Sequence, residues 1–443
     1  MLARSVALNL AGQFGTLLVG FASSIVLARL LGPADRGMLA VVLSVADVLL
    51  VVVGIGLPMA VMYFASRETP PTGALLGNSF AHALLLAALL GPTFFFLREP
   101  LAEAFSRGEG TSVWPLLTVV VVANFLAWTT TNQLAGELRF GLFNALSVAG
   151  KAVTLVLVVC LIGLGGGGVA AAVAATAAGA ATSAVGALVV LLRKARPALD
   201  RALYGSLVRY GARVQAGALF GSLNLRLDVL VLQFFRPLAA VGYYVIAQIV
   251  AELVIVLARA FQASVLPLVR RYEGDDRQLA TTTAALRHHG LLAAVAVLVN
   301  AGFGTLVLLV GYGDEFRPAL EPMLILLPGM WFLGTANVIT GDLNGRGRPG
   351  LASALTGATV VLTVALDLLL IPPYGIVGAA IASVVAYVAY GVASLHALAR
   401  VAGVPLRDLV VPTRDDLRAY PAALRAFRQR KSGRVRSTTD LHE

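Results

Sequence analysis

The chain has 443 residues, 58% hydrophobic and 13% charged, with 34 Lys and Arg against 23 Asp and Glu for a net charge of +11. A mean hydropathy of +0.85 leaves too little polar surface for a soluble domain of this length, which excludes a soluble enzyme and points to the membrane class. The basic excess lies in short loops and the C-terminal tail, which fits orientation in a bilayer and contact with anionic lipid and argues against a nucleic-acid partner.

Windows of about twenty apolar residues predict an all-α polytopic membrane protein with about twelve transmembrane helices. The MLAR start with its apolar run reads as a retained first span, because a long hydrophobic array follows it. The first six spans fall near 6–27, 38–65, 79–97, 114–135, 142–164 and 169–192, giving an N-terminal six-helix lobe over 1–192. A polar cytoplasmic connector, 193–210, follows. The second six fall near 211–235, 243–265, 288–310, 320–341, 351–371 and 376–398, a C-terminal six-helix lobe over 211–399. A basic cytoplasmic tail, 400–443, is expected to be partly disordered and to rest on anionic lipid. Gly32-Pro33, Gly165–Gly168 and Pro372-Pro373 predict turns between spans. The single cysteine, Cys160, excludes a disulfide within the chain and, in an apolar run, is expected to be a buried packing residue.

With the N-terminus cytoplasmic, the inner loops hold Arg4, Arg67, Arg139, Arg193, Lys194, Arg196, Arg270, Arg271, Arg346 and Arg348 besides the tail. The outer loops hold Arg29, Arg36, Arg98, Arg107, Arg236 and Arg317, so the inside bias predicts that both termini are cytoplasmic. The first outer loop, with Arg29 and Arg36 close together, is the weakest point of that assignment.

The halves resemble each other. LAGELRFGL at 134–142 aligns with LNGRGRPGL at 343–351, and the loop 32–37 with 237–242. An even number of spans per half makes the repeat parallel, with two lobes related by a pseudo-two-fold axis along the membrane normal around a central cavity.

The stretch 211–235 is long enough to cross a bilayer yet carries Asn224, Arg226 and Asp228 well inside. Ionised groups at that depth are costly and face a bundle interior or a wet cavity. Gln215, Ser222, Arg226 and Gln233 share one helical stripe, and Gly217, Gly221, Asn224 and Asp228 a second, small enough at one end for another helix to approach closely. The eighth span adds a polar stripe of Gln248, Glu252, Arg259 and Gln262. Arg226 and Glu252 each lie about nine residues, roughly 13 Å, from the outer loop, so an ion pair between them is geometrically allowed. The loop offset maps Glu252 onto Asp47, and an acid at the same depth in both halves suits a protonation or cation-coupling site. Arg226, Arg259 and Arg213 would make the cavity of the second lobe cationic, which favours an anionic substrate such as a phosphorylated lipid; snorkelling to headgroups is the alternative for Arg259 and Arg213, and for Arg213 the favoured one. Asn9 and Gln13 share a face of the first span, Lys151 and Asp367 are lone intramembrane charges, and His82 and the His288-His289 pair lack the company of metal ligands. The sequence offers no metal site, no cofactor motif and no Walker lysine.

SIVLARLLGPADRGMLAVVL at 24–43, LNLRLDVLVL at 223–232, and LNGRGRPGLASAL followed by LDLLLIPPYGIVGAAIASVVAY within 343–387 resemble polysaccharide-unit flippases. These belong to the multidrug, oligosaccharidyl-lipid and polysaccharide exporter superfamily, and the resemblance covers nearly all of 1–400. It implies two lobes in a V shape and alternating access. The implied cargo is an undecaprenyl-pyrophosphate-linked oligosaccharide repeat unit, moved from the inner to the outer leaflet of a bacterial cytoplasmic (inner) membrane. Coupling to a proton or sodium gradient, contact with membrane lipids and association with other glycan-assembly membrane proteins are implied with it, and no catalytic residues. On the two polar stripes and the repeated acid, the expected substrate-binding residues are Arg226, Arg259, Arg213, Asn224 and Gln248, and the expected ion-coupling or charge-pairing residues Asp47, Glu252 and Asp228. An ion-coupled multidrug exporter of the same superfamily, or a non-transporting membrane component of glycan assembly, are the alternatives.

Overall fold

The computed structural model describes residues 2–67, 69 and 71–412. Residues 413–443, most of the expected basic tail, lie outside the described residues, as do the side chains of Asn9 and Gln13.

Every regular element among the described residues is helical, the arrangement that lets a chain satisfy its backbone hydrogen bonds inside hydrocarbon. In chain order these are α1 (Leu2–Gly54), α2 (Leu57–Ala65), α3 (Thr72–Phe96), α4 (Arg98–Ser106), α5 (Val113–Gly136), α6 (Phe140–Val158), α7 (Val169–Leu192) and α8 (Arg201–Phe235). They are followed by α9 (Leu238–Ala251), α10 (Ile255–Arg271), α11 (Asp276–Leu306), α12 (Leu320–Gly345), α13 (Pro349–Ala402) and α14 (Leu406–Val410). Nine helices among the described residues are long and apolar enough to cross a membrane, ten if the bent pair within α8 is one span. Two of these, α1 and α13, have 53 and 54 residues and leave helical geometry once each, at Gly32 (φ 71°) and Gly375 (φ 61°). Counted as two spans apiece, they bring ten to the twelve expected from hydropathy. Glycine tolerates those angles at little cost, and the neighbouring Pro33, Pro372 and Pro373 lack the N–H an uninterrupted helix would use.

Large apolar side chains face outward on these helices: Leu84, Phe96 and Leu298 are 71%, 77% and 75% exposed. Such a surface is untenable in water and natural against acyl chains. The chain is an all-α, multi-pass membrane protein.

Packing divides it into two compact units. The first comprises 1–251, 303–326 and 356–386, and its core clusters gather around Ile246, Leu308 and Phe316, around Val61 and Leu207, and around Leu76 and Leu191. The second comprises, among the described residues, 252–302, 327–355 and 387–412, with a core of Val265, Val269, Leu286, Ile339, Leu343 and Leu398.

Local geometry adds detail in two places and corrects one expectation, the buried Cys160. The stretch read as connector becomes helical at Arg201, where the Asp200 carboxylate caps the Leu203 N–H at 2.9 Å, and α8 then bends by 58° between Gln215 and Leu219. The expected helix 243–265 runs as one span, 238–262, that tightens into a 3₁₀ turn at Glu252–Val254 between α9 and α10. Cys160 is exposed, on a π-turn (Val159–Leu164) that extends α6.

The internal match at 134–142 and 343–351 corresponds to one repeated turn. The Arg139 N–H donates to the Leu134 carbonyl at 2.9 Å and the Arg348 N–H to that of Leu343 at 2.8 Å. The Leu138 N–H donates to the Ala135 carbonyl at 3.0 Å, and the Gly347 N–H to that of Asn344 at 3.1 Å. Leu138 (φ 59°) and Gly347 (φ 71°) hold the left-handed position that closes such a helix end. The loop match 32–37 with 237–242 has a counterpart in packing. A Cβ on Gly37 would meet the Leu238 carbonyl, and one on Gly242 the Pro33 carbonyl, so equivalent residues exchange equivalent contacts where α1 crosses α9.

Candidate functional site

Among the described charges within or between the spans of the first unit, two clusters and one cation apart from both concern the site. In the first cluster, Arg226 on α8 reaches Asp47 on α1 at 2.9 Å, with the side chains 38% and 46% exposed. Arg226 thus meets Asp47, the acid at the depth the repeat assigned to Glu252, while Glu252 itself opens the 3₁₀ turn of the second unit. Arg36 lies close enough for its charge to interact with that of Arg226, and it is buried, 6% exposed, behind the kink in α1. Its terminal nitrogen touches Ser24 Oγ at 3.5 Å, and its Nε has no partner among the described residues. Tyr312 donates to the same Ser24 Oγ at 3.2 Å. Arg226 is paired with Asp47, while the nearby buried Arg36 has no carboxylate partner among the described residues, an excess of positive charge that an anion would complete.

Arg36 was read as a loop charge; its burial shows it to be part of the interior. Arg29, the other arginine of that loop, donates to the Val310 and Gly311 carbonyls at 2.5 and 2.6 Å, where α11 ends in a π-turn. Both arginines at the weakest point of the orientation argument are held by interior or helix-end contacts.

The second cluster is acidic. Asp228 and Asp367 are both fully buried. Asp228 Oδ2 accepts hydrogen bonds from Tyr244 and from Ser383, each at 2.6 Å. The Asp367 carboxyl lies close enough to that of Asp228 for the two groups to interact electrostatically. Yet Asp228 Oδ1 and both Asp367 oxygens receive no hydrogen from any donor among the described residues. Carboxyls that meet without a donor need a proton between them or a cation beside them. Asn224, one helical turn from Asp228, is 3% exposed and accepts from Thr363 at 3.3 Å. Sequence reasoning singled out Asp228 but left Asp367 as a lone charge, because the contact joins α8 to α13, far apart in the chain.

The other expected residues sit elsewhere. Gln248 is 2% exposed and its amide donates to the Leu225 carbonyl at 3.1 Å, tying α9 to α8. Gln215 donates to the Val51 carbonyl. Arg213 is exposed on α8, and Arg259 is exposed on α10 in the second unit. Gly221, expected to admit a close helix, has open space where a Cβ would stand. His82 is structural, bonded to the Tyr204 hydroxyl at 2.8 Å and the Val53 carbonyl at 3.0 Å.

The cation apart from both clusters is Lys151 on α6, at the wall of a polar cavity of about 270 Å³ bounded by α1, α5, α6 and α7. Glycine shapes it: a Cβ on Gly150 would lie 2.6 Å from the Gly179 carbonyl, so the backbones of α6 and α7 touch and bring Lys151 and Ser183 to one wall.

The chain covers 88% of itself and 95% of an inward-facing multidrug resistance MATE family transporter of the MOP superfamily, at a TM-score of 0.74 and 16% identity. Against the lipid II flippase MurJ in an inward closed conformation the TM-score is 0.73 at 14% identity, covering 91% of this chain and 89% of that one. These likenesses show the fold of that superfamily. In sequence, a probable low-salt glycan biosynthesis flippase of Haloferax volcanii is 25% identical over 401 residues, 89% of this chain and 82% of the relative. An uncharacterized membrane protein of Methanocaldococcus jannaschii is 27% identical over 199 residues, 44% of this chain and 39% of that protein. The profile of the family described as "Polysaccharide biosynthesis protein" matches residues 26–321, and with that match the chain belongs to the polysaccharide biosynthesis protein family.

Proposed function

We propose that the chain is a flippase that carries a polyprenyl-pyrophosphate-linked oligosaccharide from the inner to the outer leaflet of the cytoplasmic membrane, both termini being cytoplasmic. The name of the Haloferax volcanii relative supports flipping in glycan biosynthesis. The observation that carries the reading is the excess of positive charge at Arg36 and Arg226: Arg226 holds the Asp47 carboxylate, while the neighbouring Arg36, buried with a partnerless Nε, has no carboxylate partner among the described residues. A pyrophosphate is a multivalent oxygen anion that such donors bind in fixed geometry, and binding it would release Asp47 from Arg226. Movement follows as alternating access by lobes 1–192 and 211–399.

Coupling to a cation fits the second cluster. Two buried carboxyls and the hydroxyls of Tyr244 and Ser383 form an all-oxygen set of the kind that holds a proton or a hard cation such as sodium. Asp228 keeps the coupling role expected of it, Asp367 joins it, and Asp47 serves as the exchangeable counter-charge of the anion site.

The test is leaflet-resolved. In vesicles holding the full chain and a fluorescent polyprenyl-pyrophosphate-linked sugar, the wild type transfers the lipid between leaflets and Arg226→Ala slows transfer at least about ten-fold, the loss of one charged hydrogen-bonding contact. Unchanged transfer in Arg226→Ala at equal protein level overturns the anion site. Transfer that ignores both proton and sodium gradients, in the wild type and in Asp228→Asn alike, overturns the coupling.

A further inference from the structure

Lys151 lies near the middle of a 25-residue span, 140–164, roughly 16 Å or more from either end at helical rise. That is beyond the reach of a four-carbon stem to the headgroups, so snorkelling does not account for it. It forms no ion pair among the described residues. An uncompensated cation at that depth marks a place where something anionic passes.

The rest of the wall says what kind of molecule carries the anion. Thr131 donates its hydroxyl proton to the Ala127 carbonyl at 2.6 Å, Thr154 to Gly150 at 3.1 Å and Thr176 to Ala172 at 2.9 Å, while Ser183 donates to Leu146 at 2.9 Å. With their protons committed to backbone, these oxygens offer only acceptor lone pairs to the cavity. Four hydroxyl acceptors beside the donors Lys151, Asn124 and Trp128 suit a ligand that carries both an anionic group and hydroxyl donors better than bare phosphate, itself only an acceptor. Trp128 adds an aromatic surface against which the C–H face of a sugar ring can lie. The cavity, about 270 Å³, has room for a sugar ring.

We propose that this cavity binds one acidic sugar of the transported glycan, its carboxylate on Lys151, its hydroxyls on the threonine and serine oxygens and its ring on Trp128. The assignment rests on the glycan-flipping reading and adds a substrate class to it: repeat units that contain a uronic acid or a comparably acidic sugar.

Ligand-observed NMR titration of the full chain in neutral-lipid nanodiscs tests it, with methyl β-glucuronide, methyl β-glucoside and inorganic phosphate as probes. The glucuronide binds about ten-fold more tightly than the glucoside, as one charged contact requires. Lys151→Met abolishes that preference while leaving glucoside binding, Lys151→Arg retains it, and Trp128→Leu weakens both sugars. Equal affinities in the wild type overturn the assignment without recourse to any variant, as does a preference that survives Lys151→Met. Phosphate that displaces the glucuronide at equal concentration identifies a bare anion site instead, and loss of the preference in anionic-lipid discs identifies a headgroup site. Binding is read here without transport. A chain that keeps the preference but flips nothing overturns the transport reading alone, and one that flips normally without the preference overturns this assignment alone.

Discussion

The crossing of α1 and α9 is the sharpest mechanical prediction. A methyl group on Gly37 would sit 1.8 Å from the Leu238 carbonyl oxygen, and one on Gly242 2.1 Å from that of Pro33, where ordinary contact begins near 3.4 Å. Either Gly→Ala change must therefore open the crossing by roughly 1.3–1.6 Å, and since both obstacles are backbone no rotamer change relieves it. Overpacking of this kind costs about 1–3 kcal/mol, and the upper end is expected here. Because a single separation relieves both clashes, the Gly37→Ala/Gly242→Ala double variant should cost less than the sum of the two, with a coupling of about 0.5–3 kcal/mol. Gly221→Ala is the control: nothing stands within 4 Å of its Cβ, so it should be neutral or gain up to about 1 kcal/mol of helix propensity. Apparent melting temperatures of detergent-purified protein rank the four variants, as rates of irreversible unfolding if not as equilibria. A wild-type melting temperature in either single variant, or strict additivity in the double, would refute the reciprocal crossing.

Asp47→Asn should change melting by less than about 1 kcal/mol, because its pair with Arg226 is about two-fifths exposed, yet alter leaflet transfer markedly; a large stability loss with normal transfer would make the pair structural. Tyr244→Phe and Ser383→Ala each remove a 2.6 Å donor to a buried carboxylate and should cost about 1.5–3 kcal/mol; equal stability to wild type, measured in the same melts, would contradict the buried cluster. In the second unit, Asp342 is fully buried and holds Arg346 at 2.7 Å and the Thr282 hydroxyl, so Asp342→Ala should cost about 3–5 kcal/mol by stranding that arginine. A melting loss no larger than that of Asp47→Asn would show that solvent reaches the turn.

How much could be read beforehand differs by kind of feature. Hydropathy revealed the spans because a bilayer demands about twenty apolar residues wherever the chain crosses it, a requirement met one segment at a time. Gly32-Pro33 and Pro372-Pro373 marked the interruptions in α1 and α13 because steric limits on glycine and proline are local. The match of 134–142 with 343–351 proved to be a shared turn for the same reason: a helix end closed by a left-handed residue is written in five or six consecutive positions.

Partnership is another matter. Counting depth along the helices could say that Arg226 and an acid lie at one level, but Asp47 and Glu252 satisfied the count equally. Only the packing of α8 on α1 selected Asp47. Asp367 looked solitary because its companion Asp228 lies on a helix much earlier in the chain, and Arg36 looked like a loop residue because nothing in its neighbours announces that Ser24 and Tyr312 enclose it. Lys151 carried no more signal than any isolated charge until α5, α6 and α7 came together with their hydroxyl protons turned inward to backbone. By itself the sequence determined the class of protein, its spans, its turns and its repeat, since lipid and backbone sterics act residue by residue. Which charges meet, and which are left for a ligand, was decided by tertiary structure, because electrostatic partnership depends on distances of a few ångströms between helices that sequence order does not encode.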